Sequence, residues 1–549
     1  MFRFQQKSRK FIHSFLWIEL MLVFLAFYLF NIDNAYAQNI SIKIFSDNSV
    51  VKIDSILRID KGIEARLYEY KTDQSSDLPP ESKLLNAGLE ESSKKQFEKA
   101  IKLYTKALQF NSVFAKAYVS RAYARSQVEQ IEKAFEDYNQ AIEIEPNLAD
   151  AYIGRGNLYF KQGENESALR DFDLAITVNK NYYDAYFSRG SVYLQLEKYQ
   201  DAIKDFSEAI DLNPQYLDAY TQRGYAKSFF KDYKGVIEDS TKAIKLDVKN
   251  QEYVAYNNRG LAFYYLEDNQ NALKDLNECL KRNSRFSDAY YNRGLVLDNL
   301  GKYKEAISSY DLAIKYKPDD YSAWGNKGVD LYDLGKYEEA IASYDQALLY
   351  QPDDYDAWSN RGVALDDLGK YEEAIASYDQ ALHYKSDYSL AWYNRGNALR
   401  DLGKYEEALA SYDEALHYKP DYYSAWGNRG NALSELGKNE EAIASYDQSL
   451  HYKSDYSLAW YNRGGVLSDL GKYEEALASY DQVLHYKPDN YQALYEKASI
   501  YGLQGELSLA VKNLKQAIKL NPEDKERANS DPVFDLIREQ PEFKKLFSS

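Results

Sequence analysis

Five tryptophans, Trp324, Trp358, Trp392, Trp426 and Trp460, stand 34 residues apart. A fixed period of that length means one small structural unit copied many times, and it decides the architecture before any residue propensity is weighed. Units start at Glu81, Ala115, Ala149, Tyr183 and Leu217. Two extra residues, Gln251 and Glu252, follow the fifth. The series resumes at Tyr253 and continues through Ser287, Tyr321, Tyr355, Ser389, Tyr423, Ser457 and Tyr491, giving thirteen units that end at Asp524.

Each unit carries two apolar stripes. Trp358, Gly362 and Leu365 occupy unit positions 4, 8 and 11, and Ala374, Tyr378 and Ala381 occupy positions 20, 24 and 27. Both spacings are i, i+4, i+7, the mark of a helix with one buried face. A glycine at position 15, as at Gly369, suits a tight turn between them. Proline near position 32, as at Pro352 and Pro420, stops the second helix. The unit is therefore a helical hairpin. One hairpin cannot bury both stripes alone, so neighbours must stack.

An aromatic at 4, glycine at 8, alanine at 20, tyrosine or phenylalanine at 24, alanine at 27 and proline at 32 resemble the tetratricopeptide repeat. The resemblance spans Glu81 to Asp524. It implies an all-α, right-handed α-solenoid of thirteen hairpins, a groove lined by the first helices, and a role in protein–protein interaction. Departures are local: Ser386 and Ser454 replace the proline, Val236 and Val483 replace alanines, and Glu91 stands where an apolar residue is usual. Residues 525–549 read as C-terminal capping helices, starting at Ser530-Asp531-Pro532, with Val533, Phe534, Leu536 and Ile537 sealing the last hairpin.

Three ladders follow the period. Position 6 is asparagine in seven consecutive units: Asn258, Asn292, Asn326, Asn360, Asn394, Asn428 and Asn462. This resembles the asparagine ladder of protein O-GlcNAc transferase, which implies a grip on extended peptide backbone. A primary amide offers two donors and two acceptor lone pairs, so it matches any peptide unit. The alternative is that these amides only bond neighbouring helices. Position 13 is acidic in five units, Asp333, Asp367, Asp401, Glu435 and Asp469, with Asp298 and Asp366 at position 12. Facing a groove, they favour basic or hydroxyl-rich ligands; otherwise they are a solvated helix end. Tyr291, Tyr393 and Tyr461 at position 5 are candidate aromatic contacts.

Position 7 is basic in unit after unit: Arg121, Arg155, Arg189, Arg223, Arg259, Arg293, Lys327, Arg361, Arg395, Arg429 and Arg463. A half-buried guanidinium needs a carboxylate. Asp345, Asp379, Asp413, Asp447 and Asp481 at position 25 are candidate partners, and an inter-helix role is expected.

Other chemistry is sparse. Formal net charge is −17 and no basic stripe is at hand to neutralise phosphates, so nucleic acid is not an expected partner. His383, His417, His451 and His485 recur at 34 residues, too far apart for one metal ion. The one cysteine, Cys279, sits where other units carry alanine. No nucleophile elbow, zinc-protease helix motif, paired-cysteine motif or P-loop is present. The chain thus reads as a non-enzyme with neither cofactor nor metal. A carboxylate clamp is not expected, because positions 5 and 9 lack its lysine pairs.

The N-terminus carries Arg3, Lys7, Arg9 and Lys10, an apolar run from Leu20 to Phe30, and Ala35-Tyr36-Ala37-Gln38. That order predicts a secretory signal peptide over 1–37. The rival is an uncleaved anchor from Phe11 to Phe30, against which Glu19 weighs about 2.5–3.5 kcal/mol. Either way the array is expected outside the cytoplasm, in the periplasm, cell envelope or medium, touching membrane only through an uncleaved anchor. Within 38–71, Ile40–Phe45, Ser49–Ile59 and weakly Ala65–Tyr70 alternate like short strands, and 72–80 reads as a linker. The functional expectation is a scaffold holding an extended segment of another protein in its groove. The alternative is an anchored rod acting through its convex face or its N-terminal strands.

Overall fold

The structure, a computed structural model, describes residues 66–67, 69–71 and 78–547. The expected signal segment, the strands Ile40–Phe45 and Ser49–Ile59, and residues 72–77 of the linker lie outside them. Among the described residues every regular element is helical, and thirteen hairpins follow one another from Pro80 to Leu520. The weak third strand is not formed: Arg66, Leu67 and Glu69 are helical, which puts Leu67 and Tyr70 on one side, three residues apart.

A representative hairpin pairs Tyr355–Asp367 with Tyr371–Tyr384. Its second helix buries Ala374, Tyr378 and Ala381 completely. The ring of Tyr378 fills the space opposite Gly362, where an added Cβ stands 2.5 Å from it. Glycine there is a packing requirement. Each such ring removes roughly 150–250 Å² from water, about 4–6 kcal/mol gross at roughly 25 cal/mol per Å². The turn is set by Gly369 at φ 71°. In repeats without that glycine, Lys95, Glu129, Glu197, Lys231 and Glu267 take the same left-handed conformation.

The tryptophans have a second task. The indole N–H groups of Trp358, Trp392, Trp426 and Trp460 each donate to a carbonyl six residues earlier, at 2.9 Å. That carbonyl belongs to Pro352, Ser386, Pro420 or Ser454 in the inter-repeat turn. Hence serine replaces proline there without loss of the bond. Cys279 is a small core residue, fully buried. The extra Gln251 and Glu252 are absorbed locally: both backbone amides donate to Asp247, and Glu252 accepts from Ala255 N–H.

The chain forms two compact units, one ending at Ala323 and the other running from Trp324 to the C-terminus. In the second, the last hairpin is covered by short helices at Asp524–Ser530 and Pro541–Lys544 and by a 3-10 turn at Pro532–Phe534. Phe534, Ile537 and Phe543 are buried there, whereas Leu536 is exposed. Asp531 caps this turn through Val533 N–H and accepts from the Tyr495 hydroxyl at 2.8 Å.

Candidate functional site

The position-6 amides lie on the first helix of each hairpin, and the two compact units treat them differently. In the N-terminal unit Asn292 is fully buried and donates to Asn257 of the repeat before it, at 3.0 Å. Asn258 is 5% exposed, and neither its Nδ2 nor its Oδ1 has a hydrogen-bond partner.

In the C-terminal unit Asn428 donates to Asn397 at 2.8 Å and to the Tyr393 hydroxyl at 3.1 Å, both in the preceding repeat. Asn462 donates to Asn431 at 2.8 Å. Asn326 is buried, and Asn360 and Asn394 are half-buried. Three rungs, Asn292, Asn428 and Asn462, therefore bond neighbouring repeats, so their donor atoms are already engaged.

Two of the three candidate tyrosines are core residues. Tyr291 is 3% exposed against Tyr310, and Tyr393 is wedged between Tyr412 and Tyr422. Packed against other tyrosine rings, these two offer no contact area to a ligand. Tyr461 is half-buried beside Tyr480, and burial pushes its hydroxyl up to about 12.

The acidic row is on the surface. Asp333, Asp367, Asp401, Glu435 and Asp469 are all exposed. Asp367 accepts from the Tyr332 hydroxyl, and Asp401 pairs with Arg400 at 2.8 Å. Asp366 is half-buried. Loss of water, then the nearby Asp401 and Asp367, push its carboxyl up to about 7, with Arg400 opposing.

The arginine row is inter-helix structure, and its bonding follows one rule. Each arginine joins position 23 of its own repeat to position 25 of the repeat before. Arg155 donates to Asp171 through Nε and Nη2 at 2.8 and 2.7 Å, and to Asn139 at 2.7 Å. Arg121, Arg189, Arg223 and Arg259 repeat this with Asp137, Asp205, Asp239 and Asp275, and Arg189 also pairs with Asp173 of the preceding repeat at 2.6 Å.

From Arg361 onward the carboxylate changes sides. Arg361, Arg395, Arg429 and Arg463 donate at 2.7 Å to Asp345, Asp379, Asp413 and Asp447 of the preceding repeat. Position 23 of their own repeats is now serine, Ser377, Ser411, Ser445 or Ser479. Between the two series Arg293 donates to Ser309 and Asn277 and lies over the Tyr290 ring at 5.1 Å, and burial lowers its pKa. The sequence signal for these partners is an aspartate recurring at position 23, at the same register after each arginine from Arg121 to Arg259.

One occupant of the first-helix face is part of the chain itself. Leu67 and Tyr70 are buried against the first repeats. The Tyr70 hydroxyl donates to Asp150, at position 2 of the third repeat, and Tyr182 donates to the same carboxylate. Arg66 lies over the Tyr182 ring at 4.4 Å and 3.7 Å from Asp184, position 2 of the fourth repeat. Asp184 is almost fully buried, which pushes its carboxyl up to about 6, while Tyr216 and Arg66 pull it down.

Among the described residues no cluster of histidine, cysteine and carboxylate side chains is placed to hold a metal ion. The four periodic histidines are exposed beside Tyr384, Tyr418, Tyr452 and Tyr486.

Tetratricopeptide-repeat models match the chain over 183–216, 287–320 and 457–490, over 326–389, 393–457 and 428–470, and over 253–286 and 491–524. A further TPR-repeat model matches 126–163 and 156–197. Together they cover more than half of the sequence. The chain belongs to the tetratricopeptide-repeat family. A comparison with curated proteins found no match.

Among solved structures, the tetratricopeptide array is similar to the Cut9–Hcn1 hetero-tetramer of APC/C, at 14% identity and a TM-score of 0.38, over 90% of this chain and 100% of that one. It is similar to YrrB, described as a TPR protein with an unusual peptide-binding site, at 21% identity and a TM-score of 0.32, over 34% and 97%. It is also similar to MamA, at 22% identity and a TM-score of 0.29, over 29% and 94%.

Proposed function

We propose that this protein is a non-enzymatic scaffold that holds a segment of another protein against its first-helix face, outside the cytoplasm. The family supports protein or peptide binding in general. The packing of Arg66, Leu67 and Tyr70 supports the finer reading. It supplies a working instance of a short segment held there by a buried leucine and tyrosine, a hydroxyl on Asp150 and a guanidinium near Asp184. That chemistry favours a partner segment carrying aromatic, hydroxyl and basic side chains. The exposed row from Asp333 to Asp469 extends the same preference along the C-terminal unit. Single contacts net about 0.5–1.5 kcal/mol, so useful affinity needs several together. Export rests on the N-terminal charge and apolar pattern alone.

The test uses the full chain with Tyr70→Ala, which loosens the occupant held in cis. A labelled peptide of residues 62–75 is added in trans and followed by fluorescence anisotropy. Binding to Tyr70→Ala, and its loss on adding Asp150→Ala, is the expected result. No binding at millimolar peptide retires the reading. Detection of the mature chain in the envelope or medium, with its N-terminal residue identified, tests the location.

A further inference from the structure

Twelve repeats place a large side chain at position 24; the fifth places Ser240. Elsewhere that side chain presses on the first helix, as Tyr310 does on Gly294, where an added Cβ would stand 2.3 Å from the ring. A Cβ on Gly224 meets nothing closer than Asp239 at 3.4 Å, with Ser240 Oγ at 3.7 Å. Beside Gly224 lies a pocket of about 270 Å³, lined by Gly224, Tyr225, Phe229, Tyr233, Asn258 and Tyr265. Its aromatic walls are ordered against one another. Tyr233 stacks on Tyr265 with centroids 4.8 Å apart, and Phe229 meets Tyr225 edge-on at 5.3 Å.

The polar groups beside this space are unsatisfied. Asn258, in the pocket lining, presents an amide with neither atom bonded, and the buried Ser240 hydroxyl, near Gly224, also has no partner. Buried polar groups are ordinarily paired, so such a group marks a site for a bound partner or water. The volume narrows the choice. An apolar cavity of about 150 Å³ holds benzene, and cofactor or drug pockets start at about 300 Å³. This pocket has room for one ring with a substituent.

We propose that the pocket takes an aromatic side chain of a bound protein segment, with Asn258 pairing to that residue's own peptide unit. The ring replaces the one that Ser240 lacks. Asn258 Nδ2 donates to the segment's carbonyl, and Oδ1 accepts from its N–H. The inference rests on the scaffold reading and adds an anchor residue to it.

The test titrates N-acetyl-tyrosinamide, N-acetyl-phenylalaninamide and N-acetyl-alaninamide into the full chain labelled with ¹⁵N-asparagine, observing side-chain amides by NMR. Expected are shifts at Asn258 with the two aromatic probes and none with the alanine probe. Ser240→Tyr, which restores the residue of other repeats, should abolish binding. Asn258→Ala should weaken it at least tenfold. Ser240→Leu, matching Leu276 of the next repeat, serves if the tyrosine variant does not fold. Equal shifts with all three probes, undiminished binding in the filled variants, or only exchange with a buried water overturns the proposal. If the 62–75 peptide still docks at Asp150 while these probes do not bind, the anchor alone falls.

Discussion

Asn428 donates through Nδ2 to Oδ1 of Asn397, 31 residues earlier, at 2.8 Å. An amide that the repeat pattern singles out for ligand thus spends its donor on holding two hairpins together. The Asn394 side chain, at the same register, has no hydrogen bond among the described residues and is half-buried. The two should separate in experiment. Asn428→Ala leaves Asn397 with one partner fewer and should cost about 1–3 kcal/mol. Asn394→Ala should stay within about 0.5 kcal/mol. Hydrogen exchange across the helices Ser389–Asp401 and Tyr423–Glu435 reads the difference.

The ion pairs differ in depth as well as direction. Asp205, paired with Arg189, is nearly buried, whereas the side chain of Asp379, paired with Arg395, is 50% exposed. Removing one partner of a buried pair strands a charge and typically costs about 3–5 kcal/mol. An exposed pair is worth about 1 kcal/mol or less. Arg189→Ala should therefore destabilise its region by several-fold more than Arg395→Ala. Equal losses in denaturation, followed by local exchange, would contradict this.

Asp366 sets a pH window. Its folded pKa, about 7, lies above the ordinary aspartate value because of burial and its acidic neighbours. The folded state then holds a proton that the unfolded chain releases. Its favourable contribution is complete below about pH 4 and is lost as pH rises through about 7. Asp366→Asn should raise the melting temperature relative to the parent at pH 8, with the difference vanishing near pH 4. A gap that widens on acidification would reverse the assignment.

The hairpin turns give a paired test. Gly369 holds φ 71°, and Glu267 holds φ 62° at the same register. A side chain in this region costs roughly 1–2 kcal/mol. Gly369→Ala should lower stability and Glu267→Gly should raise it, each by about 1 kcal/mol, with thermal melting as the readout.

Much of the fold was legible because period and register are properties of the sequence alone. Stripes at 4, 8, 11 and 20, 24, 27 name the core, and Gly369 names the turn. The site was less legible, for physical reasons. Whether Tyr393 faces ligand or core depends on the size of its neighbours across a helix interface, which spacing does not encode. Whether Asn258 or Asn292 has a partner depends on the neighbouring repeat, where Asn257 reaches Asn292 and leaves Asn258 alone. Residues 65–70 alternate like a strand, yet Leu67 and Tyr70 are equally spaced for one helix side, and tertiary burial decides between them.

The exchange of aspartate from position 23 to position 25 alters how the molecule comes apart. A carboxylate inside its own hairpin fortifies that hairpin but ties it only loosely to the next. A carboxylate in the previous hairpin does the reverse, moving strength from the unit to the seam. The stretch from Arg121 to Arg259 should therefore fray one module at a time, except at the seam that Arg189 and Asp173 close. The stretch from Arg361 to Arg463 should let go as a block, so one gene carries both a segmented rope and a stiff rod.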